Sequence, residues 1–336
     1  MNKSFFHSGW LLISLLLVLA SCTTGKLGKN KQKKLDGKVI VITGASSGLG
    51  RGVALQAAEY KAIVVLVARS TQVLNQLADS INSAGGQALA VTADVSKLED
   101  LQQVLEQTIS RFGKIDMWIN NAGVAAIGSF TKTPLEDHLR VLDVNLNGVF
   151  RGSYIAVEQF KKQGYGTLVN IGSVESQVPT AYQTSYGASK AGVRAMGLVL
   201  RQELRLEKQK NIKVVTVSPW AIDTPLWDNV ATYTGHEARM TSMDRTQKAV
   251  NVVMHALLSK KREMPIGFKS HATYGLHRIF PGWVERIGAN MAHKHQASDT
   301  PPKADTTGNL YTPTGSGKVD GGFKQKMKEE KRAQRD

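Results

Sequence analysis

A chain of 336 residues with 42% apolar side chains can bury one large α/β domain or two small ones. Its net charge of +16 would suit a nucleic-acid binder. However, residues 1 to 35 alone hold six lysines and no acid, and no basic stripe interleaved with aromatics occurs, so nucleic acid is not an expected partner. The single cysteine, Cys22, excludes an internal disulfide, so nothing in the fold marks an oxidising compartment.

The first segment, residues 1–35, reads as a hydrophobic signal or anchor followed by a basic linker. Its apolar core, Leu11 to Ala20, is about half of what a ~30 Å hydrocarbon layer requires, which suits a cleaved signal. The stretch "LASC", residues 19–22, has the pattern of a lipoprotein signal, with Cys22 as the residue to be lipidated. Against export, Lys26, Lys29, Lys31, Lys33 and Lys34 come after the apolar run and only Lys3 precedes it, a bias that holds the downstream domain on the cytoplasmic side. Membrane lipid is therefore an expected partner of the N-terminus, with the working domain on the cytoplasmic face. An exported lipoprotein anchored at Cys22 is the alternative.

From residue 36 to about 270, short apolar runs alternate with amphipathic stretches. Strands are expected at 38–44, 62–68, 87–93, 115–121, 166–172 and 212–218, with another near "EMPIGF". Each is rich in β-branched residues and apolar on both faces, as strands covered by helices on both sides must be. Helical patterns near 49–60, 71–84, 97–112, 134–162, 183–210 and 246–259 complete the picture. The expected fold is a single α/β domain, a Rossmann-type doubly wound parallel sheet of about seven strands, with its ligand across the carboxyl ends of the strands. Residues 224–248 are polar and aromatic, and form either a lid or a surface excursion. Residues 271–296 are an apolar and basic helical extension that packs on the domain or lies on a membrane. Residues 297–336, rich in Pro, Gly, Thr and Lys without apolar periodicity, read as a disordered basic tail.

The first strand runs into "TGASSGLG", Thr43 to Gly50, and then into a helix. Glycines 44, 48 and 50 allow a tight turn, close approach of backbone to a pyrophosphate, and close packing of helix on strand. No Gly-Lys-Ser/Thr comes after it, which disfavours a P-loop. At the end of the second strand, where an NAD-binding fold usually carries an acid, stand Ala68 and Arg69. Arg69 is either a cation for the 2′-phosphate of NADP(H), which the glycine turn favours, or a solvated loop residue. Asp94 either accepts from an adenine amino group or caps a helix.

Tyr186 and Lys190, in "SYGASKAG", stand four apart and share one helix face. An ammonium within several ångströms favours a phenolate and lowers the tyrosine pKa, which would let Tyr186 exchange a proton with a carbonyl or alcohol. Ser173, thirteen residues earlier, ends the fifth strand in "NIGS" and can hydrogen-bond the same oxygen. Asn145, inside a helical pattern, must either cap a backbone group or organise a water.

Together "TGASSGLG", "NNAG" (120–123), Asn145, Ser173, "YGASK" and "PWAIDT" resemble the short-chain dehydrogenase/reductase family in order and spacing, over about residues 37 to 260. The resemblance implies an NAD(P)-dependent oxidoreductase acting on CH–OH groups, with Asn145, Ser173, Tyr186 and Lys190 as catalytic tetrad. It also implies a coenzyme cleft of Gly44, Ser46, Ser47, Gly48, Leu49, Gly50, Arg69, Asp94, Val95, Asn121, Ala122, Gly123, Tyr186, Lys190, Pro219 and Thr224. No metal is expected. Family members assemble as homodimers or homotetramers through the helices here at 134–162 and 183–210.

Where the family commonly has Pro-Gly, this chain has Pro219-Trp220. Trp220, Trp227 and Tyr182, with Tyr233, suggest an apolar or aromatic substrate, or else serve as ordinary packing. The expected activity is NADP(H)-dependent interconversion of a secondary alcohol and a ketone or aldehyde, with Tyr186 as acid–base. The alternative is a non-catalytic NADP(H)-binding membrane adaptor.

Overall fold

The computed structural model describes residues 25–333 apart from 241. The expected leader, Cys22 included, lies outside the described residues. Seven strands form one parallel sheet: β1 (Val39–Thr43), β2 (Ile63–Ala68), β3 (Gln87–Thr92), β4 (Met117–Asn120), β6 (Gly166–Ile171), β7 (Ile212–Ser218) and β9 (Glu263–Pro265). Their order is β3-β2-β1-β4-β6-β7-β9, with Val41 opposite Val65 on one side and Trp118 on the other. The winding reverses between β1 and β4, and it is there that a doubly wound sheet opens a ligand crevice. Two short strands, β5 (Ala126–Ile127) and β8 (Ala231–Thr232), pair separately beyond the carboxyl edge.

The helices divide between the sheet's two faces because every central strand is apolar on both. One core layer joins Ile40, Ile42, Val64 and Leu66 to α1 (Gly48–Glu59), α2 (Thr71–Ser83) and α7 (Thr246–Leu257). The other joins Val39, Val41, Val65 and Trp118 to α3 (Leu98–Phe112), α5 (Gly148–Gln163) and α6 (Thr184–Leu206). The helix expected over 134–162 is divided. Helix α4 (Leu135–Leu142) gives way to a π-helical segment, Asp143–Asn147, before α5 begins. Such bulges rotate side chains out of the regular helical register, and here the displaced residue is Asn145.

Two expectations about the ends of the chain change. The basic strip after the leader docks through Leu27 and Leu35, 2% and 0% exposed, while Lys29, Lys31, Lys33 and Lys34 stay exposed. The segment from 297 onward, expected to be disordered, returns over the domain. Leu310 and Phe323 are buried at 0% and 2% exposure, and the chain ends in α10 (Phe323–Ala333). Before it, the stretch expected as one extension is a hairpin of α8 (Gly267–Ile279) and α9 (Pro281–His293), divided by Phe280 and Pro281. The proline starts the second helix at a position where its missing N–H costs nothing. Among the described residues, no helix is long and apolar enough to cross a membrane.

Candidate active site

The cleft lies where the topology predicts, across the carboxyl ends of β1, β4 and β6, and has a volume of about 270 Å³. Its floor begins at the glycine turn. Gly44 has φ +69°, and a Cβ there would stand 2.8 Å from the Cα of Ala122, so only glycine lets β1 and the loop after β4 approach this closely. A Cβ on Gly50 would fall 2.2 Å from the carbonyl oxygen of Gly44, which fixes how tightly α1 sits on the turn. Asn121 ties the same two segments together, donating from Nδ2 to the carbonyls of Thr43 and Gly44 at 2.9 and 3.2 Å. The residues therefore fit a dinucleotide at this turn: glycines at 44, 48 and 50 let the backbone come close, and the turn leads into the amino end of a helix.

Ser173 comes directly after β6 and accepts from the amide of Glu175 at 3.2 Å as its chain turns into a short 3₁₀ segment. Helix α6 brings Tyr186 and Lys190 to the same edge, with Lys190 Nζ 5.6 Å from the centroid of the Tyr186 ring. Lys190 is 4% exposed and donates to the carbonyl of Ile171 at 2.9 Å. Asn145 is fully buried and is satisfied by the loop after β4. Its Oδ1 accepts from Val124 N at 2.9 Å, and its Nδ2 donates to Val124 O at 2.8 Å and to Ser189 Oγ at 3.3 Å. Of the two roles open to it, the geometry shows the backbone-capping one. The structure thus brings Ser173, Tyr186 and Lys190 to one end of the cleft, with Asn145 buried behind the loop at Val124.

The electrostatics of the pair differ from expectation. Burial pushes the Tyr186 phenol up to about 12, against an opposing hydrogen bond from Ser173 and with a further upward push from Glu175. Burial pushes Lys190 down to about 8. Desolvation disfavours both charged forms and outweighs the mutual attraction that spacing alone suggested. Glu175 carries no motif that would single it out. It is 4% exposed, accepts from Thr180 N and Oγ1 at 2.8 and 2.7 Å, and burial pushes its carboxyl up to about 7. Only its proximity to Ser173 in sequence could have signalled it.

At the other end of the cleft, Ser46, Ser47, Leu49, Ala68, Arg69, Asp94 and Val95 line the wall. The polar ones are held by partners within the chain. Asp94 accepts from Ser96 N at 2.9 Å and pairs with Arg140 at 2.7 Å. Arg69 donates to three main-chain carbonyls, those of Asn309, Leu310 and Tyr311, at 2.7, 3.0 and 3.0 Å. Neither Arg140 nor the 309–311 segment is marked by any motif.

Gly123, Ala122, Pro219 and Thr224 line the middle of the cleft, together with Trp220 and Trp227. Trp227 donates to the carbonyl of Ile222 at 2.9 Å, and its ring clusters with Ile127, Val230 and Tyr186. Trp220 Nε1 is buried with no hydrogen-bond partner among the described residues. Tyr182, expected at the substrate, packs against the same cluster of Ile127 and Val230, and its hydroxyl bonds His293 Nδ1 on α9 at 2.7 Å with the rings stacked. Tyr233 is buried and bonded to Asp137, away from the cleft. No cluster able to hold a metal occurs among the described residues.

A doubly wound sheet with a glycine turn at its switch point, and a Tyr–Lys pair on the neighbouring helix, defines a nucleotide-binding oxidoreductase fold. The short chain dehydrogenase family matches residues 38–234. The chain is 35% identical over 286 residues, 84% of its length, to the uncharacterized oxidoreductase YxnA of Bacillus subtilis, covering 80% of that protein. It is 36% identical over 208 residues to 3beta-hydroxysteroid dehydrogenase 1 of Eggerthella lenta, covering 61% of this chain and 77% of that one. A short chain dehydrogenase/reductase of Burkholderia phymatum, solved in complex with NAD, superposes with a TM-score of 0.67 at 23% identity, over 80% of this chain and 99% of that one, a likeness of fold. The chain belongs to the short-chain dehydrogenase/reductase family of oxidoreductases.

Proposed function

We propose that the protein is an NADP(H)-dependent oxidoreductase that interconverts an apolar secondary alcohol and its ketone, with Tyr186 as the acid–base. The observation that carries the reading is the convergence of Ser173, Tyr186 and Lys190 beside a glycine turn shaped for a dinucleotide. The glycine turn and the amino end of α1 would hold the pyrophosphate. Arg69 and Ser70 would face the 2′-phosphate, and Lys190 and Asn121 the nicotinamide half. A nicotinamide coenzyme, when bound, supplies the hydride. Tyr186 holds the proton that passes to the carbonyl oxygen in reduction and takes it back in oxidation. Ser173 orients that oxygen, and Lys190 bears on the same proton through its charge. Asn145 acts at one remove, holding the loop at Val124 that frames the cleft. Trp220, Trp227, Ile127 and Val230 give the substrate end an apolar wall, in keeping with the steroid named for one relative. With all four tetrad positions present, the non-catalytic adaptor is not favoured.

The coenzyme assignment has a direct test in Arg69→Ala. Loss of a charge-assisted bond to phosphate is worth about 1.5–3 kcal/mol, or roughly 10- to 150-fold in affinity. NADPH binding, read by fluorescence titration, should weaken by that factor while NADH binding does not weaken. Equal losses for both would remove the assignment of Arg69 to the 2′-phosphate.

We further propose membrane contact and self-association. The hairpin of α8 and α9 exposes Phe268, Ile279, Phe280 and Trp283, the last two at 56% and 60%, with Arg278, Arg286 and Lys294 nearby in sequence. An apolar and basic face of this kind suits an anionic lipid surface. Leu139, Phe150, Tyr154 and Val199 are likewise exposed on α4, α5 and α6, the helices through which a dimer or tetramer would pack. Sedimentation of the full chain reads both. Its mass should be a multiple of the monomer's, and it should pellet with vesicles containing phosphatidylserine in low salt more than with neutral vesicles. A monomer indifferent to lipid charge would contradict both.

A further inference from the structure

The segment between α9 and α10 engages the same groups that the coenzyme's phosphates need. Arg69 spends its guanidinium on the carbonyls of residues 309–311. Arg140 holds the same turn, donating from Nε to Leu310 O at 3.0 Å, with its guanidinium 5.9 Å from the centroid of the Tyr311 ring. The Tyr311 hydroxyl donates to Asp137 at 2.7 Å. Further along, Gly315 passes so close to the loop after β2 that a Cβ on it would lie 3.0 Å from the Cβ of Ser70. The amide of Gly48, one of the first-turn donors of α1 that have no partner within the helix, donates to Lys318 O at 2.8 Å. Downstream the segment is pinned at Asp223, whose Oδ1 accepts from Phe323 N at 2.9 Å.

Neutral carbonyl oxygens therefore sit on a cation and on a helix amino end, the two features of this cleft best suited to phosphate. We propose that residues 309–318 form a latch that competes with the 2′-phosphate and pyrophosphate of the coenzyme for Arg69 and the amino end of α1. The inference rests on the NADP(H) reading above. Phosphate oxygens are charged and bind such donors more strongly than carbonyls do, so NADPH displaces the latch whereas a ligand without the 2′-phosphate gains nothing at Arg69. The apparent dissociation constant is then the intrinsic one divided by the fraction of molecules with the latch open. The latch thereby sets how strongly the enzyme discriminates between coenzymes.

The latch can be fastened reversibly in the full chain. Ser70→Cys with Gly315→Cys places two sulfurs where the backbone already brings their Cβ atoms within a few tenths of an ångström of disulfide range, in a Cys22→Ser background that leaves no third thiol. By fluorescence titration, the oxidised protein should bind NADPH at least tenfold more weakly than the same protein after reduction. Equal NADPH affinity of the oxidised and reduced forms would overturn the latch. Tyr311→Ala offers a second approach that leaves Leu310 buried. It loosens the turn at Arg140 and Asp137 and should tighten NADPH binding about threefold or more; unchanged or weaker binding would again overturn the proposal. Failure of the parent and the reduced protein to bind NADPH at all would instead count against the coenzyme assignment, which keeps the two readings distinct.

Discussion

Replacing Lys190 with methionine should abolish most activity while leaving the fold as stable as before. The ammonium is 4% exposed and its single hydrogen bond goes to the carbonyl of Ile171. Burying a charge on such terms is costly, and the downward displacement of its pKa to about 8 expresses that cost. Methionine occupies a similar volume without the charge, so the gain from removing a desolvated cation offsets the one carbonyl left unbonded, worth about 1 kcal/mol. The melting temperature should stay within about 3 °C of the parent's. Turnover, if the proposed cation beside Tyr186 is needed for it, should fall by about a hundredfold or more.

The same substitution carries a pH signature. Between pH 8 and 10.5 the unfolded lysine still holds a proton that the folded one has released, so the unfolded state binds more protons there. Stability contributed by this residue therefore rises with pH across that window. Denaturant titrations should show that rise in the parent and not in Lys190→Met. A parent whose stability difference from Lys190→Met is flat from pH 8 to 10.5 would contradict the burial of the ammonium.

Tyr186→Phe is the second large effect. The ring packs with Ile127, Val230 and Trp227, and phenylalanine keeps every one of those contacts. Only the hydroxyl is lost, and with it the proton that must reach the carbonyl oxygen. A positioned acid–base group typically contributes between about 10² and 10⁴ in rate, so kcat should fall by about 10³. Coenzyme affinity should stay within about twofold, because the ring rather than the hydroxyl shapes this wall. With burial pushing it up to about 12, the phenol stays protonated throughout the neutral range.

How much of this the sequence discloses depends on what kind of interaction each part uses. The sheet is legible because β1, β2, β4, β6 and β7 are short, largely apolar runs rich in β-branched residues, a pattern that burial on two faces imposes. The proposed tetrad is legible because the chemistry proposed for it needs particular side chains at particular places, after β6, on α6 and in the π-helical segment before α5. The latch is not. Residues 309–318 are held through their own carbonyls, and a backbone acceptor leaves no compositional trace, so a Pro-, Gly- and Thr-rich stretch reads as solvent-facing chain. The titration of the Tyr–Lys pair is hidden for a related reason. Spacing reports the distance between two groups, whereas desolvation depends on everything packed around them. Tyr182 shows a third limit: its backbone φ of +67° turns the side chain towards His293, a direction that no periodicity encodes.

The central claim is that this cleft moves a hydride from NADPH to an apolar ketone, with the proton coming from Tyr186. Its most direct measurement is a single-turnover reaction of the full chain with a panel of apolar ketones and NADPH deuterated at C4, monitored by absorbance at 340 nm and mass spectrometry of the product. The account predicts one mole of coenzyme oxidised per mole of alcohol formed, with deuterium on the carbinol carbon, at a rate reduced about a thousandfold in Tyr186→Phe. Alcohol formed equally fast by Tyr186→Phe, or no ketone reduced by the parent with NADPH firmly bound, would contradict it.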